Sequence, residues 1–447
     1  MIRSFAKTLA AGAVLAPMGL GMGLGLGARQ AGIPAGDGGG GAGGAPTGAD
    51  VQIRGVRKNL TGSTGTMDFT VPGFGTPKAA LFFVTLAATN DAVQSYTIYG
   101  VGGTDGTRQW SHCFFSLYDV ATTDTKRVTS DADVLSYITG AYDVRAQFSS
   151  WITDGIRINV SQNSGSRTSL VTCILFGGSD LTAYATTVAQ AALDADTIVT
   201  PGFEVNALLA FNGRRPADEI VFANQANLSL GFASYDGATI RQNGFVFGAQ
   251  DNAAASYPFT RLIDGGMCPL EGPVYDHLEL NSITSTTFKL KTKTNTVRTG
   301  ESDVTGVLAL GLANGGKAWT GVVDVGTSTG SVLYNGADFL PVYAFAIPNL
   351  TEAADAFYSN TDVRAGSFGF SMIGASEQFF HGAMEDGGAD PTRNYCISSD
   401  KPLRLYDDAG SALQIAGTFN AFGTGGVTLD ITAAPSATKK MPILFIG

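Results

Sequence analysis

Charge is scarce in this chain of 447 residues: Asp, Glu, Lys and Arg make up only 15% of it, against roughly a quarter in ordinary soluble domains. What charge there is leans acidic, with 38 carboxylates against 28 basic residues and a formal net of −10. Nucleic-acid binding draws on clustered Lys and Arg to release counterions, so no nucleic acid is expected as a partner. Histidine is scarcer still: the three, His112, His277 and His381, have no partner at metal or triad spacing. Asp276 and His277 are adjacent, which in a strand points them to opposite faces. The four cysteines, Cys113, Cys173, Cys268 and Cys396, lie far apart without a C-x-x-C pair. That removes thiolate metal sites and leaves buried free thiols, with a Cys113–Cys173 disulfide as the alternative. No G-x-G-x-x-G opens a helix, and neither a P-loop lysine nor a G-x-S-x-G elbow is present.

Apolar residues, by contrast, are plentiful at 44%, and 59 glycines punctuate them. Abundant Thr, Val, Ile, Phe and Tyr favour pleated strands, so the fold class is all-β. The length fits about three domains of ordinary size. Internal repetition agrees. Val71-Pro72-Gly73-Phe74 leads into the apolar run Ala79 to Ala87, Thr200-Pro201-Gly202-Phe203 into Ala207 to Phe211, and Ala337-Asp338-Phe339 into Val342 to Ala346. A second shared block reads Ser111-His112-Cys113-Phe114-Phe115-Ser116, Ser229-Leu230-Gly231-Phe232-Ala233-Ser234 and Ser367-Phe368-Gly369-Phe370-Ser371-Met372.

Each copy then alternates. Ile156, Ile158 and Val160, then Phe288 and Leu290, then Val427, Leu429 and Ile431 fall on one face of a strand, with Arg157 and Asn159, Lys289 and Lys291, or Thr428 and Asp430 on the wet face. Closing strands are expected at Leu170 to Gly178, Val304 to Leu312 and Met441 to Gly447. Asp154-Gly155, Asp236-Gly237 and Asp386-Gly387 are hairpin-turn dipeptides. Short helices could form near Thr187 to Ala195 and Asp131 to Ile138. The expected architecture is three tandem β-sandwich or jelly-roll-like modules, at 51–185, 186–330 and 331–447.

Candidate sites are sparse. Paired carboxylates occur at Asp131/Asp133, Asp194/Asp196, Glu385/Asp386 and Asp407/Asp408, each read as a loop or cap because a glycosidase needs two that converge across a cleft. No cofactor is expected; calcium is a weak option at Glu385 to Asp390, a Gly-rich run of hard oxygen ligands. Trp110, Trp151, Trp319, Tyr235 and Tyr395 are read first as core or hinge packing, with stacking on sugar rings as the alternative, and Trp110, Tyr235 and Tyr395 are the weak binding candidates. The basic run Lys289 to Lys293 reads as a solvated strand face or a blunted sheet edge, with an anionic polysaccharide or acidic partner as the alternative.

The N-terminus has its own character. Residues 1–30 begin with Arg3 and Lys7, then run uncharged to Arg29, the outline of a secretory signal. Yet Gly19 to Gly27 alternates glycine with Leu20, Met22, Leu24 and Leu26, a period of two that suits a strand with a bare glycine face, and glycine so frequent disfavours a transmembrane helix. Assembly anchor and signal peptide both stay open, as does a membrane-active segment. Residues 31–50, mostly glycine between Ala35 and Ala45 and with no bulky residue there, read as a flexible tether.

A Gly-Phe opening, a Ser-x-Gly-Phe-type block, a Gly-rich tether and tandem β modules together resemble the modular appendage proteins of tailed bacteriophages: fibres, tail-tip proteins and head decorations. The resemblance runs from about residue 70 to the end. It implies a structural protein of the virion, not an enzyme, held to other virion proteins by its N-terminus. It also implies a homo-oligomer, with a trimer favoured, that presents β modules to a host-surface glycan or protein. Two other readings are a secreted or cell-surface adhesion protein cleaved near Ala28, and a polysaccharide-cleaving spike.

Overall fold

The computed structural model describes residues 50–447 apart from 61, 140, 165–167, 224, 270–275, 295–302 and 408. The first unit contains β1 (Gln52–Asn59), β2 (Gly65–Thr70), β3 (Ala79–Thr85), β4 (Gln94–Ser95), β5 (Thr97–Thr104), β6 (Gln109–Ser116), β7 (Thr125–Ser130), β8 (Leu135–Ile138), β9 (Tyr142–Ile152), β10 (Gly155–Asn163) and β11 (Leu170–Gly177). The second contains β12 (Leu181–Ala189), β13 (Asp196–Val199), β14 (Ala207–Asn212), β15 (Phe222–Ala223), β16 (Ala226–Tyr235), β17 (Ile240–Ala249), β18 (Pro258–Asp264), β19 (Asp276–Ile283), β20 (Phe288–Thr294) and β21 (Val304–Leu312). The third contains β22 (Ala318–Val325), β23 (Gly330–Asn335), β24 (Tyr343–Ala346), β25 (Phe357–Ser359), β26 (Ser367–Gly374), β27 (Gln378–Glu385), β28 (Asn394–Ser399), β29 (Leu403–Tyr406), β30 (Leu413–Gly423), β31 (Gly426–Ala433) and β32 (Lys439–Ile446). No helix occurs among the described residues. The chain is all-β, and the stretches expected as short helices are strand or loop: β12 runs to Ala189 and β8 covers Leu135 to Ile138. Pairing of Thr186, Thr187 and Val188 with β21 outweighs their local pattern.

All three units repeat one topology. The larger sheets run β1-β11-β3-β5-β6-β7, β12-β21-β14-β16-β17-β18 and β22-β32-β24-β26-β27-β28, and the smaller ones β2-β10-β9-β8, β13-β20-β19 and β23-β31-β30-β29. Each larger sheet gains a seventh strand from another unit: β15 of the second pairs with β7 of the first, β25 of the third with β18 of the second, and β4 of the first with β28 of the third. The exchange closes on itself, so the three units form a ring in which every such edge is covered, as exposed edges otherwise invite aggregation.

The larger sheets bury both faces. Along β3, Phe82 and Val84 enter the sandwich core beneath β2, β10, β9 and β8. Leu81 and Phe83 point the other way, into a core shared by all three units. Two-sided burial explains why β3, β14 and β24 read as continuous apolar runs while β10, β20 and β31 alternate. In the shared core Phe83 stacks on Phe370 at 4.5 Å and meets Phe211 edge-on at 6.0 Å, while Phe345 lies 5.9 Å from Phe370. Each such ring contributes about 1.5–3 kcal/mol by leaving water. The opening phenylalanines Phe74, Phe203 and Phe339 fold over the last glycine of their units. A Cβ on Gly177, Gly311 or Gly447 would stand 2.8, 2.6 or 2.8 Å from those rings.

Several registers differ from the sequence expectation. The second unit begins with β12 at Leu181, so the boundary at 185/186 falls inside a strand, and β22 places the start of the third unit ahead of 330/331. Only Gly178 to Asp180 separate β11 from β12, too few to leave a linker signature. Ser111 to Ser116 forms β6, whereas Ser229 to Ser234 and Ser367 to Met372 belong to β16 and β26, whose counterpart in the first unit is β5. Neighbouring strands with the same two-sided burial have similar composition, which is how the block slipped by one strand. The Asp-Gly turns are likewise not equivalent: Asp154-Gly155 joins β9 to β10, Asp236-Gly237 joins β16 to β17, and Asp386-Gly387 joins β27 to β28.

Candidate functional site

The matching strands β6, β17 and β27 carry the buried polar residues Ser111, His112, Ser116, Asn243, His381 and Glu385. His112 on β6 is fully buried; its Nε2 accepts the Gly306 N–H of the second unit at 3.2 Å, and its Nδ1 lies 2.9 Å from the Thr129 hydroxyl. Since Nε2 accepts, Nδ1 carries the proton. His381 on β27 is its counterpart: Nε2 lies 2.7 Å from the Thr172 hydroxyl of the first unit and Nδ1 2.8 Å from that of Ser398. Burial drives the His112 imidazole down to about 3 and His381 well below its usual value, so both are neutral. In the second unit the matching residue is Phe245, paired with Leu262. The position matching Gly306 and Thr172 in the third unit is Pro442, which has no N–H to satisfy. The histidines are therefore polar joints between units.

At one end of these strands the matching positions are Ser116, Ala249 and Glu385. The Glu385 carboxylate is buried where all three units meet: it accepts from the Ser116 hydroxyl at 3.4 Å and from the Tyr257 N–H at 3.2 Å. Burial raises it to about 8, with the two hydrogen bonds pulling it partway back. At the other end the repeats share a glutamine that the sequence comparison missed. Gln109, Gln242 and Gln378 accept the N–H of Phe148 at 2.8 Å, Leu280 at 2.6 Å and Phe419 at 3.2 Å. Each acceptor serves the bulged strand of the smaller sheet, where the ladder slips and an N–H would otherwise go unpaired.

The arms that carry the lent strands also repeat a left-handed acidic residue. Asp91, Glu219 and Asp355 have φ of 62°, 59° and 61°. Their N–H groups donate to the carbonyls of Ser398, Thr129 and Leu262 in the unit that receives the arm. The side chains then diverge: Asp91 meets Lys401 at 2.6 Å and Arg404 at 3.2 Å, while Glu219 meets Arg145 at 2.7 Å.

The candidates singled out from sequence are scattered. Trp110 is buried in the shared core against Phe211 at 5.5 Å, the core packing weighed for it in place of sugar stacking; its indole fills the space beside Gly306. Tyr235 sits at the β16–β17 turn, its hydroxyl donating to the Gly237 carbonyl at 2.8 Å. Trp151 packs on Phe148 and Trp319 on Phe445. Tyr395 is half-buried at the junction of the third and first units, 5.5 Å from Tyr118. Asp386 and Asp407, from two of the carboxylate pairs, lie near enough to interact, while the others are engaged separately. Asp133 is buried against Arg145 and Ser130, Asp407 receives the Ser411 N–H, and Asp194 and Asp196 face the basic run. In that run Lys289 and Lys291 flank Asp196 at 3.7 and 3.9 Å on β20, which is the middle strand of its sheet and not an edge. Glu385 turns into the ring while Asp390 is exposed, so the run weighed for calcium does not gather its oxygens. Among the described residues no group of His, Cys, Asp and Glu could hold a metal. All four cysteines are free and buried. Leu20, Met22, Leu24 and Leu26 lie outside the described residues.

No protein-family model and no curated protein matches the chain. Among solved structures, mouse laminin α1 chain domains LG4-5 match at 11% identity over 56% of this chain and 88% of that one, with a TM-score of 0.11, too low to carry an argument.

Proposed function

We propose that the chain is a structural, non-enzymatic appendage protein of a tailed-phage particle, attached through residues 1–30 and presenting its ring of β-sandwich units to a host surface. The observation that carries this reading is the closed exchange of β4, β15 and β25 around one apolar core. Such a ring is a rigid platform, and its interior is filled by side chains instead of being open to a substrate. His112, His381, Glu385 and the four cysteines are buried in its joints and packing. The chain is proposed to assemble as a homo-oligomer, a trimer favoured, with each copy contributing one closed ring. The apolar alternation of Leu20, Met22, Leu24 and Leu26 is assigned the attachment to other virion proteins.

Particles banded by density and analysed by mass spectrometry test the proposal. The expected result is this chain in the band, with peptides from before Ala28. A chain starting near Arg29 and found only in the medium or on the cell surface would establish the secreted adhesion reading instead.

A further inference from the structure

The three junctions of the ring share a backbone frame, so differences in what fills their matching positions were not imposed by the frame. Directly after Gln109, Gln242 and Gln378 stand Trp110, Asn243 and Phe379. The Trp110 indole lies against Gly306 of the second unit, and Asn243 donates to the Thr320 hydroxyl of the third at 2.8 Å. Phe379 has neither the bulk of the indole nor a polar group, and across from it Gly55 takes the place of Ala185 and Thr320. A cavity of about 320 Å³ lies there, between β1 and β11 of the first unit and the β26–β27 turn of the third, within the sizes that hold small ligands. A Cβ on Gly55 would stand 3.6 Å from Met372 and Phe379, an ordinary contact, so packing does not demand a glycine.

Arg57 lines this cavity from the position that Thr187 and Val322 hold in the other units. Its Nη1 donates to Asn90 Oδ1 at 2.6 Å and its Nη2 to the Ser399 carbonyl, while Nε makes no bond. With five N–H groups on a guanidinium, donors remain. Asp400 and Asp91 act on Arg57 only from a distance, and burial pulls it down to about 10. The acids nearby have closer partners. Glu377 holds Arg54 at 2.6 Å, Asp91 holds Lys401 at 2.6 Å and Arg404 at 3.2 Å, and Asp400 holds Lys401 at 3.5 Å. Arg54, Arg57, Lys401 and Arg404 thus face only Glu377, Asp91 and Asp400, and in a chain of net charge −10 the cation left over is Arg57. A buried charge is ordinarily paired.

The rest of the lining is complementary. The Phe379 ring centre lies 5.8 Å from the guanidinium carbon of Arg57. Gln378 spends its carbonyl oxygen on the Phe419 N–H, and among the described residues its amide nitrogen and the Ser376 hydroxyl have no partner. Ser376 and Asp400 are exposed, so the cavity opens to solvent on their side.

We propose that this cavity binds a hexuronate residue of a surface glycan, its carboxylate on Arg57, its hydroxyls on Ser376 and Gln378, and a C–H face on Phe379. A planar guanidinium suits a carboxylate better than it suits a neutral hydroxyl. The inference rests on the host-attachment reading and gives it a ligand class.

The test titrates the full chain with methyl glucuronoside and methyl galacturonoside, their uncharged methyl esters, and acetate, read by ligand-observed NMR. One uronoside should saturate in the millimolar range, with its ester and acetate weaker by about ten-fold or more. Gly55→Val fills the cavity from a strand position, so it should weaken binding about ten-fold with no fall in melting temperature. Arg57→Lys keeps the charge but loses the planar fork and should weaken binding about five-fold; it decides the matter should Gly55→Val fold poorly. No saturable response to either uronoside, an equal response to the ester or to acetate, or undiminished binding by Arg57→Lys would each overturn the proposal. Particle association is measured separately, so uronoside binding without it keeps the site and sinks the appendage reading, and the reverse pattern sinks only the site.

Discussion

The substitution Glu385→Gln should change how the ring responds to pH while leaving its shape intact. The carboxyl is fully buried where three units meet, and among the described residues it accepts from the Ser116 hydroxyl and the Tyr257 N–H. Burial raises it to about 8 from the ordinary 4.5. A raised carboxyl binds its proton more tightly folded than unfolded. Its penalty is thus absent below about pH 4.5, grows as the unfolded chain ionises first, and is complete above about pH 8. At 1.36 kcal/mol for each pH unit of that gap, the fold loses about 4–5 kcal/mol across the window. A glutamine side chain there has nothing to ionise, while its carbonyl can accept from Tyr257 and its amide can donate to Ser116. Urea melts of both proteins from pH 4 to pH 9 test this: equal stability at pH 4, and at pH 9 a variant more stable by several kcal/mol. Parallel curves throughout would refute the burial of an ionisable carboxyl on the ring axis.

Other expectations follow from the joints. Gln242→Ala strands the Leu280 N–H at a bulge and should cost about 1–3 kcal/mol in chemical denaturation, as should Gln109→Ala for Phe148. His381→Phe imitates the second unit but leaves the Thr172 and Ser398 hydroxyls without the imidazole, so it should destabilise by about 1–3 kcal/mol; adding Thr172→Val and Ser398→Ala should recover much of that. Because the ring closes within one chain, Gln94→Cys, which lies opposite Cys396, should on oxidation give a cross-linked chain of single-copy mass in denaturant, and a cross-linked dimer would refute closure. The thiols are raised by burial, Cys113 to about 12 and Cys396 to about 11, so a thiol reagent should label none in the native protein and all four in denaturant.

Much of the sandwich was legible because it depends on local periodicity. The alternation at Ile156, Ile158 and Val160 became β10 with those side chains buried, and the matching runs became β20 and β31. The ring was not legible. Strands as short as Gln94–Ser95 and Phe222–Ala223 carry no periodic signal, and the partner of each lies in another unit, reached only through tertiary pairing. The partner of Trp110 was hidden for the same reason: the space its ring fills lies beside Gly306, in the next unit. The glutamines could have been found, since Gln109, Gln242 and Gln378 each lie at the start of a central strand. Their polarity hid them, because a comparison weighted to apolar blocks passes over a residue whose role is to satisfy one backbone N–H.

Divergence among the units is informative because the frame is shared. The arms keep what closure needs, a left-handed residue whose N–H reaches the neighbouring carbonyl, at Asp91, Glu219 and Asp355 alike. Around that fixed bond the junctions differ in chemistry. The junction of the third and first units gathers Arg54 with Glu377, Asp91 with Lys401 and Arg404, and the neighbouring rings of Tyr96, Tyr118 and Tyr395. Between the first and second units, Trp110 and Arg145 do the joining; between the second and third, Asn243 donates to Thr320 at 2.8 Å. Closure requires none of these side chains in particular, as each junction closes with a different set. What the frame fixes is therefore the left-handed backbone and its one hydrogen bond, and the side chains around it were free to diverge from junction to junction.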